Sequence, residues 1–314
     1  MPTLTQFEYL LAVDETKSFS RAAKKRNVSQ PSLSAQVQKV EEELDIIIFD
    51  RSKKPIITTK KGQLVIDQAK NTIREYKKIF DIKNDSGKIK GEFHLAVIPS
   101  LAPYVVPLFI KNFSKNYPDV KLYINEYKTD DIIEALYDDA IDAGLLVTPL
   151  NDDKIIERSL FFERFFLYTS KNHKLSEKKI ITDMDLDASS VWLLEEGHCF
   201  RDQVIKVCSV DRRKNVLDNI KFASGSLETL INLIRQGDGY TLLPELATLC
   251  LPEQEKKDNL RKFKQPIPTR EVSLVHSRSF LKQDIIEALQ KEIIGNLPKG
   301  IKSLKREQIS VIDI

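Results

Sequence analysis

The feature that most limits the fold of this chain is an alternation of strand and helix patterns that begins near residue 91. Phe93–Ile98 and Val120–Tyr127 have strand patterns, and a helix pattern at Val105–Tyr117 separates them. A second helix pattern, Asp130–Ala140, leads to a strand at Ala143–Val147. Strands joined through helices are typical of βαβ units, in which the strands lie parallel. The pattern therefore predicts an α/β fold with a largely parallel sheet.

The length of this α/β part suits two lobes with a cleft between them. In open α/β sheets, ligands bind at the carboxyl ends of the strands. Ser100 follows the first strand and Thr129 follows the second, so we expect both hydroxyls to face the cleft. Further strands are predicted at Phe165–Tyr168, Ser190–Leu194, Tyr240–Leu243 and Val272–His276, and further helices at Leu227–Gln236 and Asp284–Ile294.

The first 58 residues have a different pattern, of three short helices followed by a hairpin. The third helix is predicted to begin after Ser29, a good N-cap, with Pro31 in its first turn, where a missing N–H costs little. The segment Ile46–Thr58 is predicted to form a β-hairpin wing. Four apolar residues of the third helix are spaced to form one buried stripe: Leu33, Val37, Val40 and Leu44.

Two helices, a tight turn and a third helix with a polar outer face predict a helix-turn-helix, whose second helix enters the major groove of DNA. Residues 1–90 carry 18 Lys and Arg against 12 Asp and Glu, whereas the whole chain has a net charge of only +3. This part is therefore suited to a polyanion. The candidate DNA-binding residues are Ser29, Gln30, Pro31, Ser32, Ser34, Gln36 and Lys39 on the third helix and Arg51, Lys53 and Lys54 near the tip of the wing.

A longer helix pattern runs from Thr59 to about Phe80. Its apolar or small residues have near-heptad spacing, which favours a coiled-coil dimerisation arm. Turn residues at 84–87 end it and predict a hinge. We therefore expect a DNA-binding domain at 1–58, a linker and dimerisation helix at 59–87, and a two-lobed α/β regulatory domain at 88–314. The predicted apolar positions are Val65, Ala69, Thr72 or Ile73, Tyr76, and Ile79 or Phe80.

The stretch Glu195–Cys208 holds two of the three cysteines of the chain. Cys199 lies between His198 and Arg201, where a helix could begin, and nearby cations and a helix N-terminus lower the pKa of a thiol. Cys199 could then attack peroxide and become a sulfenic acid that Cys208 resolves. Two ordinary structural cysteines are the alternative, because free cysteine is mostly a small buried hydrophobic residue.

The spacing of the two cysteines adds a mechanical argument. Nine helical residues rise roughly 13.5 Å, whereas the Cα atoms of a disulfide lie no more than about 7 Å apart. If the segment between Cys199 and Cys208 is helical when reduced, joining the sulfurs must unravel it. A redox event would then become a shape change.

Several other functions have no support in the sequence. It contains no P-loop, no Rossmann fingerprint, no C-x-x-C and no H-E-x-x-H, so we expect no nucleotide cofactor and no metal. No apolar run is long enough to span a bilayer and no secretory signal is visible, which predicts a cytoplasmic protein without a membrane partner. Cys250 is expected to be a bystander.

The N-terminal residues resemble the LysR-type transcriptional regulators. The resemblance rests on F-S-R-A-A at 19–23, V-S-Q-P-S-L-S-A-Q-V-Q-K-V-E-E-E-L at 28–44, F-D-R at 49–51, T-x-x-G at 59–62 and G-D-G-Y-T-L-L-P at 237–244. It implies a winged helix-turn-helix, a long linker helix and a two-lobed regulatory domain like periplasmic binding proteins. Two departures are Ser100, where related chains more usually have Thr, and Lys61, where Ala is typical.

Within that family, G-H-C-F-R-D-Q at 197–203 followed by Cys208 resembles the OxyR group of hydrogen-peroxide sensors. This resemblance implies that Cys199 reacts with peroxide and that Cys208 is its disulfide partner. It implies a regulator of oxidative-stress genes rather than an enzyme. The peroxide pocket that it implies comprises Ser100, Thr129, His198, Arg201 and Gln203, with Arg270 as a further candidate.

The resemblance also implies partners for the protein. They are double-stranded promoter DNA, RNA polymerase, a glutaredoxin or thioredoxin as reductant, and further copies of the chain in a homodimer or homotetramer. Two alternatives remain at this point: a LysR-type regulator that binds a small metabolite in the cleft between the lobes, and a thiol peroxidase that turns over continuously.

Overall fold

The computed structural model describes residues 1–82, 89–208, 225–277, 282–302, 304 and 308–313. Its contacts divide the chain into two compact units, residues 1–88 and residues 89–314. Within the described ranges, no helix is both long and apolar enough to cross a membrane.

The first unit begins with three helices, α1 (Leu4–Thr16), α2 (Phe19–Lys25) and α3 (Gln30–Leu44). The hydroxyl of Ser29 accepts a hydrogen bond from the backbone of Ser32, so the predicted N-cap of the third helix is confirmed. The stripe is confirmed at three of its four positions. Leu44 is exposed, because it is the last residue of α3 and Asp45 turns the chain away in a left-handed conformation.

A short wing and a long helix complete this unit. Strands β1 (Phe49–Asp50) and β2 (Ile57–Thr58) pair antiparallel, which confirms the hairpin. Helix α4 (Lys60–Ile82) follows, and the Thr59 hydroxyl accepts from the backbone of Gly62 at 2.9 Å. A Cβ at Gly62 would lie 2.3 Å from the carbonyl oxygen of Ile48, so only glycine fits there. Among the described side chains of α4, the buried apolar ones are Ile66, Ala69 and Ile73, whereas Leu64, Tyr76 and Ile79 are exposed.

The second unit is built around a mixed sheet. Strand β3 (Gly91–Val97) pairs in parallel with β4 (Val120–Glu126) and β5 (Ala143–Thr148). Helices α5 (Ala102–Asn116) and α6 (Thr129–Tyr137) join these strands, so the predicted βαβ pattern is confirmed here. The expectation of a largely parallel sheet is wrong beyond β5. There, two long strands, β6 (Ile156–Thr169) and β10 (Ile267–His276), run antiparallel to each other, and β10 runs antiparallel to β5.

The long strand β6 joins the two lobes of this unit. Its first part pairs with β10, and its last five residues pair antiparallel with β8 (Tyr240–Pro244). The other described α-helices and strands of this unit are β7 (Ile180–Ile181), α7 (Cys199–Cys208), α8 (Leu227–Gln236), α9 (Glu245–Leu249), α10 (Glu253–Asn259), β9 (Leu260–Phe263), α11 (Gln283–Asn296), α12 (Lys299–Lys302) and β11 (Ile309–Val311). The described strands of the large sheet follow the order β4-β3-β5-β10-β6-β9-β7, while β8 pairs with β6 and β11 pairs with β10.

The strand predicted at Ser190–Leu194 is not formed. A short 3-10 helix, Ala188–Ser190, stands at its start, and a single bridge from Val191 to Tyr240 is its one strand-like contact in the described chain. Val191 and Leu194 of this segment are buried in the core, which explains the apolar pattern that suggested a strand. The predicted hinge near 84–87 lies outside the described residues.

Candidate functional site

Three backbone segments of the second unit meet around a narrow cavity. They are the turn after β3, the start of α6 and the start of α7, and they leave only a narrow crevice between them. The cavity forms here because β3 and β4 lie parallel, so that the loops after both strands reach the same edge of the sheet. Its lining residues are Ile98, Pro99, Ser100, Lys128, Thr129, Gly197, His198, Cys199 and Phe200.

Cys199 is the first residue of α7 and lies at this cavity with only 6% of its surface exposed. Burial raises the pKa of the Cys199 thiol, because an apolar environment disfavours the thiolate. The nearby Thr129 hydroxyl, the charge of Arg270 and the backbone of Phe200 act in the opposite direction and only partly offset burial. The expectation that the surroundings of Cys199 lower its pKa is therefore wrong for this structure.

The hydroxyl groups of Ser100 and Thr129 both line the cavity, as their positions after two strands predict. Ser100 is held by Arg270, whose Nη1 donates to the Ser100 hydroxyl at 2.9 Å and whose Nη2 donates to the Ser100 carbonyl at 3.2 Å. The buried Thr129 hydroxyl lies beside the Cys199 thiol, and its interaction with the sulfur favours the thiolate.

Arg270 is fully buried and paired with a buried carboxylate. Its Nε donates to Glu163 at 2.8 Å, and both side chains have 0% exposure. The other oxygen of Glu163 accepts from the backbone of Leu246 at the start of α9. Arg270 also lies over the ring of Phe200, 5.6 Å from its centroid. This network fixes the direction of the Ser100 hydroxyl and places a permanent positive charge behind the cavity.

One side of the cavity mouth is closed by a lysine that crosses to the opposite loop. Lys128 Nζ lies 2.9 Å from the Glu195 carboxylate and donates to the carbonyl of Glu196 at 3.2 Å. Burial and the charge of Lys128 lower the pKa of His198, although Glu195 acts in the opposite direction. The imidazole of His198 is therefore neutral at neutral pH and adds no cation beside Cys199.

Cys208 is the last residue of α7 and is also buried and free. Burial raises its pKa to about 12, against a hydrogen bond from Tyr240 that favours the thiolate. It lies nine helical steps after Cys199 in one continuous helix, a rise of roughly 13.5 Å. The helix that the spacing argument required is therefore present in this structure, and the two sulfurs do not touch.

Two residues expected in the pocket face elsewhere. Arg201 is not among the lining residues, and its Nη1 donates to the Leu194 carbonyl at 2.7 Å. Gln203 is fully buried, but its Nε2 donates to the Ile312 carbonyl at 2.9 Å instead of reaching the cavity. Both lie within four residues of Cys199 along α7, so their closeness in sequence suggested a role in the pocket that the direction of their side chains does not support.

The second candidate site is the exposed start of α3 in the first unit. Gln30, Pro31, Ser32 and Lys39 are exposed, as is the N-cap Ser29. Gln36 faces α1 instead, where its Oε1 accepts from Gln6 at 2.9 Å. Four exposed polar or small residues around the first turn of a helix are suited to contact the edges of bases and the phosphates.

The wing carries one arginine that is paired within the protein and two lysines that are exposed to solvent. Arg51 pairs with Glu41 at 2.7 Å and lies over the ring of Phe19. It also donates to the Ser34 hydroxyl at 3.4 Å, so it fixes the wing against α3. Lys53 and Lys54 are exposed near the tip of the hairpin. The two lysines are therefore better placed than Arg51 to reach a phosphate backbone.

Comparison with known proteins assigns both units. The model of the bacterial regulatory helix-turn-helix protein, lysR family, matches residues 4–63, and the model of the LysR substrate binding domain matches residues 86–294. The chain belongs to the LysR family of transcriptional regulators. The resemblance noted from the sequence motifs is thereby confirmed.

The most similar LysR-family relatives include peroxide regulators. The chain is 32% identical to the hydrogen peroxide-inducible genes activator of Haemophilus influenzae over 87% of this chain and 90% of the relative. It is 31% identical to the DNA-binding transcriptional dual regulator OxyR of Escherichia coli over 95% and 98%. A solved full-length OxyR variant from Pseudomonas aeruginosa superimposes with a TM-score of 0.73 at 29% identity, covering 94% of this chain and 98% of that one.

Sequence reasoning missed three residues that this LysR-family site uses. Lys128 carries a signal only in its position before Thr129, at the end of a predicted strand. Glu163 lies within a strand pattern, where a carboxylate gives no hint of a buried partner on another strand. Tyr240, next to Cys208, belongs to the motif at 237–244, which was noted for the family but not for the thiol. Within the described ranges, no cluster of side chains is suited to a metal ion.

Proposed function

We propose that this LysR-family chain is a DNA-binding transcriptional regulator that hydrogen peroxide activates through Cys199 and Cys208. The observation that carries the proposal is the position of Cys199, which lies in a narrow cavity beside two hydroxyl groups and begins a helix that Cys208 ends. The names of its relatives and the identity over nearly the whole chain support the peroxide response.

The proposed chemistry takes two steps. The Cys199 thiolate attacks one oxygen of hydrogen peroxide, the O–O bond breaks, and the other oxygen leaves as hydroxide that takes up a proton to become water. The hydroxyls of Ser100 and Thr129 are placed to polarise the two oxygens. The sulfenic acid then condenses with the Cys208 thiol, which forms the disulfide and releases a second water.

Formation of the disulfide requires α7 to unravel. The Cα atoms of Cys199 and Cys208 must approach from a helical separation of roughly 13.5 Å to no more than about 7 Å. The change in this segment is the proposed signal to neighbouring subunits.

On the DNA side, α3 is proposed to enter the major groove of promoter DNA with Gln30 and Ser32 at the bases, while Lys39, Lys53 and Lys54 contact phosphates. We propose a homodimer formed through α4, whose Leu64 and Ile79 are exposed in the single chain, and a homotetramer that contacts RNA polymerase. The proposed reductant is a glutaredoxin or thioredoxin, and the proposed location is the cytoplasm. The protein is oxidised once in each activation cycle, which distinguishes it from an enzyme that turns over continuously.

The experiment is thiol trapping with intact-mass analysis after about one equivalent of hydrogen peroxide. We expect the wild type to lose two thiols as a Cys199–Cys208 link, and C208S to stop at a sulfenic acid on Cys199. The C250S variant is the matched control and should behave as the wild type does, because Cys250 is exposed and lies outside the cavity.

The outcomes separate the proposal from its alternatives. If C199S leaves promoter activation by peroxide intact, the cleft of the substrate-binding domain responds to a metabolite instead. If the wild type consumes peroxide continuously with a reductant and binds no operator DNA, the protein is a thiol peroxidase. Survival of both thiols under these conditions would reject the redox switch.

A further inference from the structure

The C-terminal strand of the chain is attached directly to the helix that carries both cysteines. Strand β11 pairs in parallel with the first three residues of β10, in the register Ile267 with Ile309, Pro268 with Ser310 and Thr269 with Val311. The backbone N–H of Ile312 extends this ladder by donating to the Thr269 carbonyl at 2.8 Å. Residues 309–313 are called the C-terminal strap below.

Two side chains of α7 hold the strap from the other side. Gln203 Nε2 donates to the carbonyl of Ile312 at 2.9 Å, and Lys206 Nζ donates to the carbonyl of Asp313 at 3.0 Å. Gln203 and Lys206 are three residues apart, so they lie on one face of the helix. The strap is therefore held between β10 and α7, with one bond from a buried amide and one from an exposed ammonium.

The position of Gln203 and Lys206 within α7 determines whether their bonds to the strap survive formation of the disulfide. Both lie between Cys199 and Cys208, inside the segment that must contract when the disulfide forms. Contraction by about half of the helical separation displaces any side chain on that segment relative to β10. Neither bond can therefore persist while the strap stays paired with β10.

We propose that Gln203 and Lys206 are positioning residues that tie α7 to the C-terminal strap and so set the reduction potential of the Cys199–Cys208 pair. The inference rests on the proposed disulfide switch and adds a second element to it. The strap stabilises the reduced state, and oxidation releases it from α7. The C-terminal strap thus acts both as a restraint on the switch and as a segment whose mobility reports the redox state.

The energetic sign follows from the buried bond. Loss of the Gln203 amide leaves the Ile312 carbonyl without that donor in the reduced state, and loss of the Lys206 ammonium removes a charge-assisted bond. Both changes weaken the reduced state and leave the contracted, disulfide-bonded state unaffected. The equilibrium with an oxidised thiol compound therefore shifts toward the disulfide, which corresponds to a lower reduction potential.

The test equilibrates the full-length protein with defined mixtures of reduced and oxidised glutathione, in which two protein thiols become a disulfide as glutathione disulfide becomes two thiols. Wild type is compared with Q203M, K206M and the double variant. Methionine matches the length of glutamine, is one atom shorter than lysine, and removes the donor from both side chains. We expect the double variant to favour its disulfide by about tenfold, which equals about 30 mV for a two-electron couple.

A second readout follows the strap itself. Hydrogen exchange at the amides of residues 309–312 should be slow in the reduced wild type and at least about tenfold faster after oxidation. The reason is that the backbone hydrogen bonds to β10 open more often once the bonds from Gln203 and Lys206 are broken. A role of Gln203 in packing alone would change stability without this difference between redox states. K291M, at an exposed lysine of α11, is the control and should match the wild type in both measurements.

The outcomes keep the two proposals apart. If no Cys199–Cys208 disulfide forms in the wild type, the proposed function fails and the strap has nothing to restrain. If the disulfide forms but strap exchange is the same in both states and the double variant stays within a factor of two of wild type, the strap inference is overturned. K206M keeps the test available if Q203M does not fold, because Lys206 is exposed.

Discussion

The buried pair of Arg270 and Glu163 allows stability and peroxide reactivity to be separated by mutation. Both side chains have 0% exposure, and Arg270 makes hydrogen bonds to Glu163 and to the hydroxyl and carbonyl of Ser100. Replacing Arg270 alone with Met leaves the Glu163 carboxylate buried without its counter-charge. Breaking a buried pair from one side costs about 3–5 kcal/mol.

For a unit of this size, such a loss lowers the melting temperature by roughly 6–20 °C, since 1 kcal/mol corresponds to about 2–4 °C. The double variant R270M/E163M replaces the pair by apolar side chains of similar volume and should recover most of the stability. Its peroxide reactivity should not recover. The Ser100 hydroxyl has lost the donor that orients it, and one lost hydrogen bond in the transition state slows a reaction by about tenfold.

The assay uses the single tryptophan of the chain, Trp192, which lies in the second unit, so its fluorescence reports the unfolding of that unit in urea. Cys199 oxidation is measured in parallel by stopped-flow thiol trapping. A single variant that loses less than about 1 kcal/mol would refute the argument for the buried pair. A double variant that regains the wild-type oxidation rate would refute the role of Arg270 in orienting Ser100.

Three other predictions concern protons, the cavity mouth and DNA. Because burial raises the pKa of Cys199, its thiol is neutral at neutral pH. The rate of peroxide oxidation should therefore rise about tenfold for each pH unit between about pH 6 and 8. A plateau in this rate below pH 7 would contradict the prediction. Lys128→Met should raise the pKa of His198, which NMR titration would measure. The free energy of unfolding should change by less than about 1 kcal/mol, because the Lys128–Glu195 pair is partly exposed. An unchanged His198 pKa would contradict the effect of the Lys128 charge. Gln30→Ala should cost about 1–3 kcal/mol of discrimination between operator bases, whereas Lys53→Ala should weaken binding to all sequences and reduce the salt slope by about one, both measured by fluorescence anisotropy. Equal losses on cognate and random DNA for Gln30→Ala would exclude base contact.

The first unit was largely predictable because its structure depends on neighbours in the sequence. The N-cap at Ser29, the proline in the first turn of α3 and the buried stripe all follow from interactions within one or two helical turns. The exposed Leu44 marks the limit of that reasoning. Helical spacing says which residues share a face, but the end of the helix and the turn at Asp45 decide where that face ceases to be covered.

The second unit was predictable only where strands and helices alternate. Residues 91–148 follow the βαβ pattern, and this regularity also placed Ser100 and Thr129 together at the cavity. Beyond β5, the direction of β6 and β10 depends on pairing between strands more than 100 residues apart in sequence. No local pattern specifies whether such strands run parallel or antiparallel, because strand preference depends on side-chain packing with partners that the segment does not contain.

By itself, the sequence determined the helix-turn-helix, the parallel strands that bring two hydroxyls to one edge, and the helical spacing that keeps Cys199 and Cys208 apart. Tertiary structure alone decided the chemistry around them. Local sequence places cations beside Cys199, yet burial raises its pKa, and the Arg270 that holds Ser100 lies 170 residues away from it in sequence. Gln203 faces the C-terminal strap rather than the cavity. Desolvation and hydrogen bonding depend on which distant segments pack together, and side-chain spacing along one helix carries no information about them.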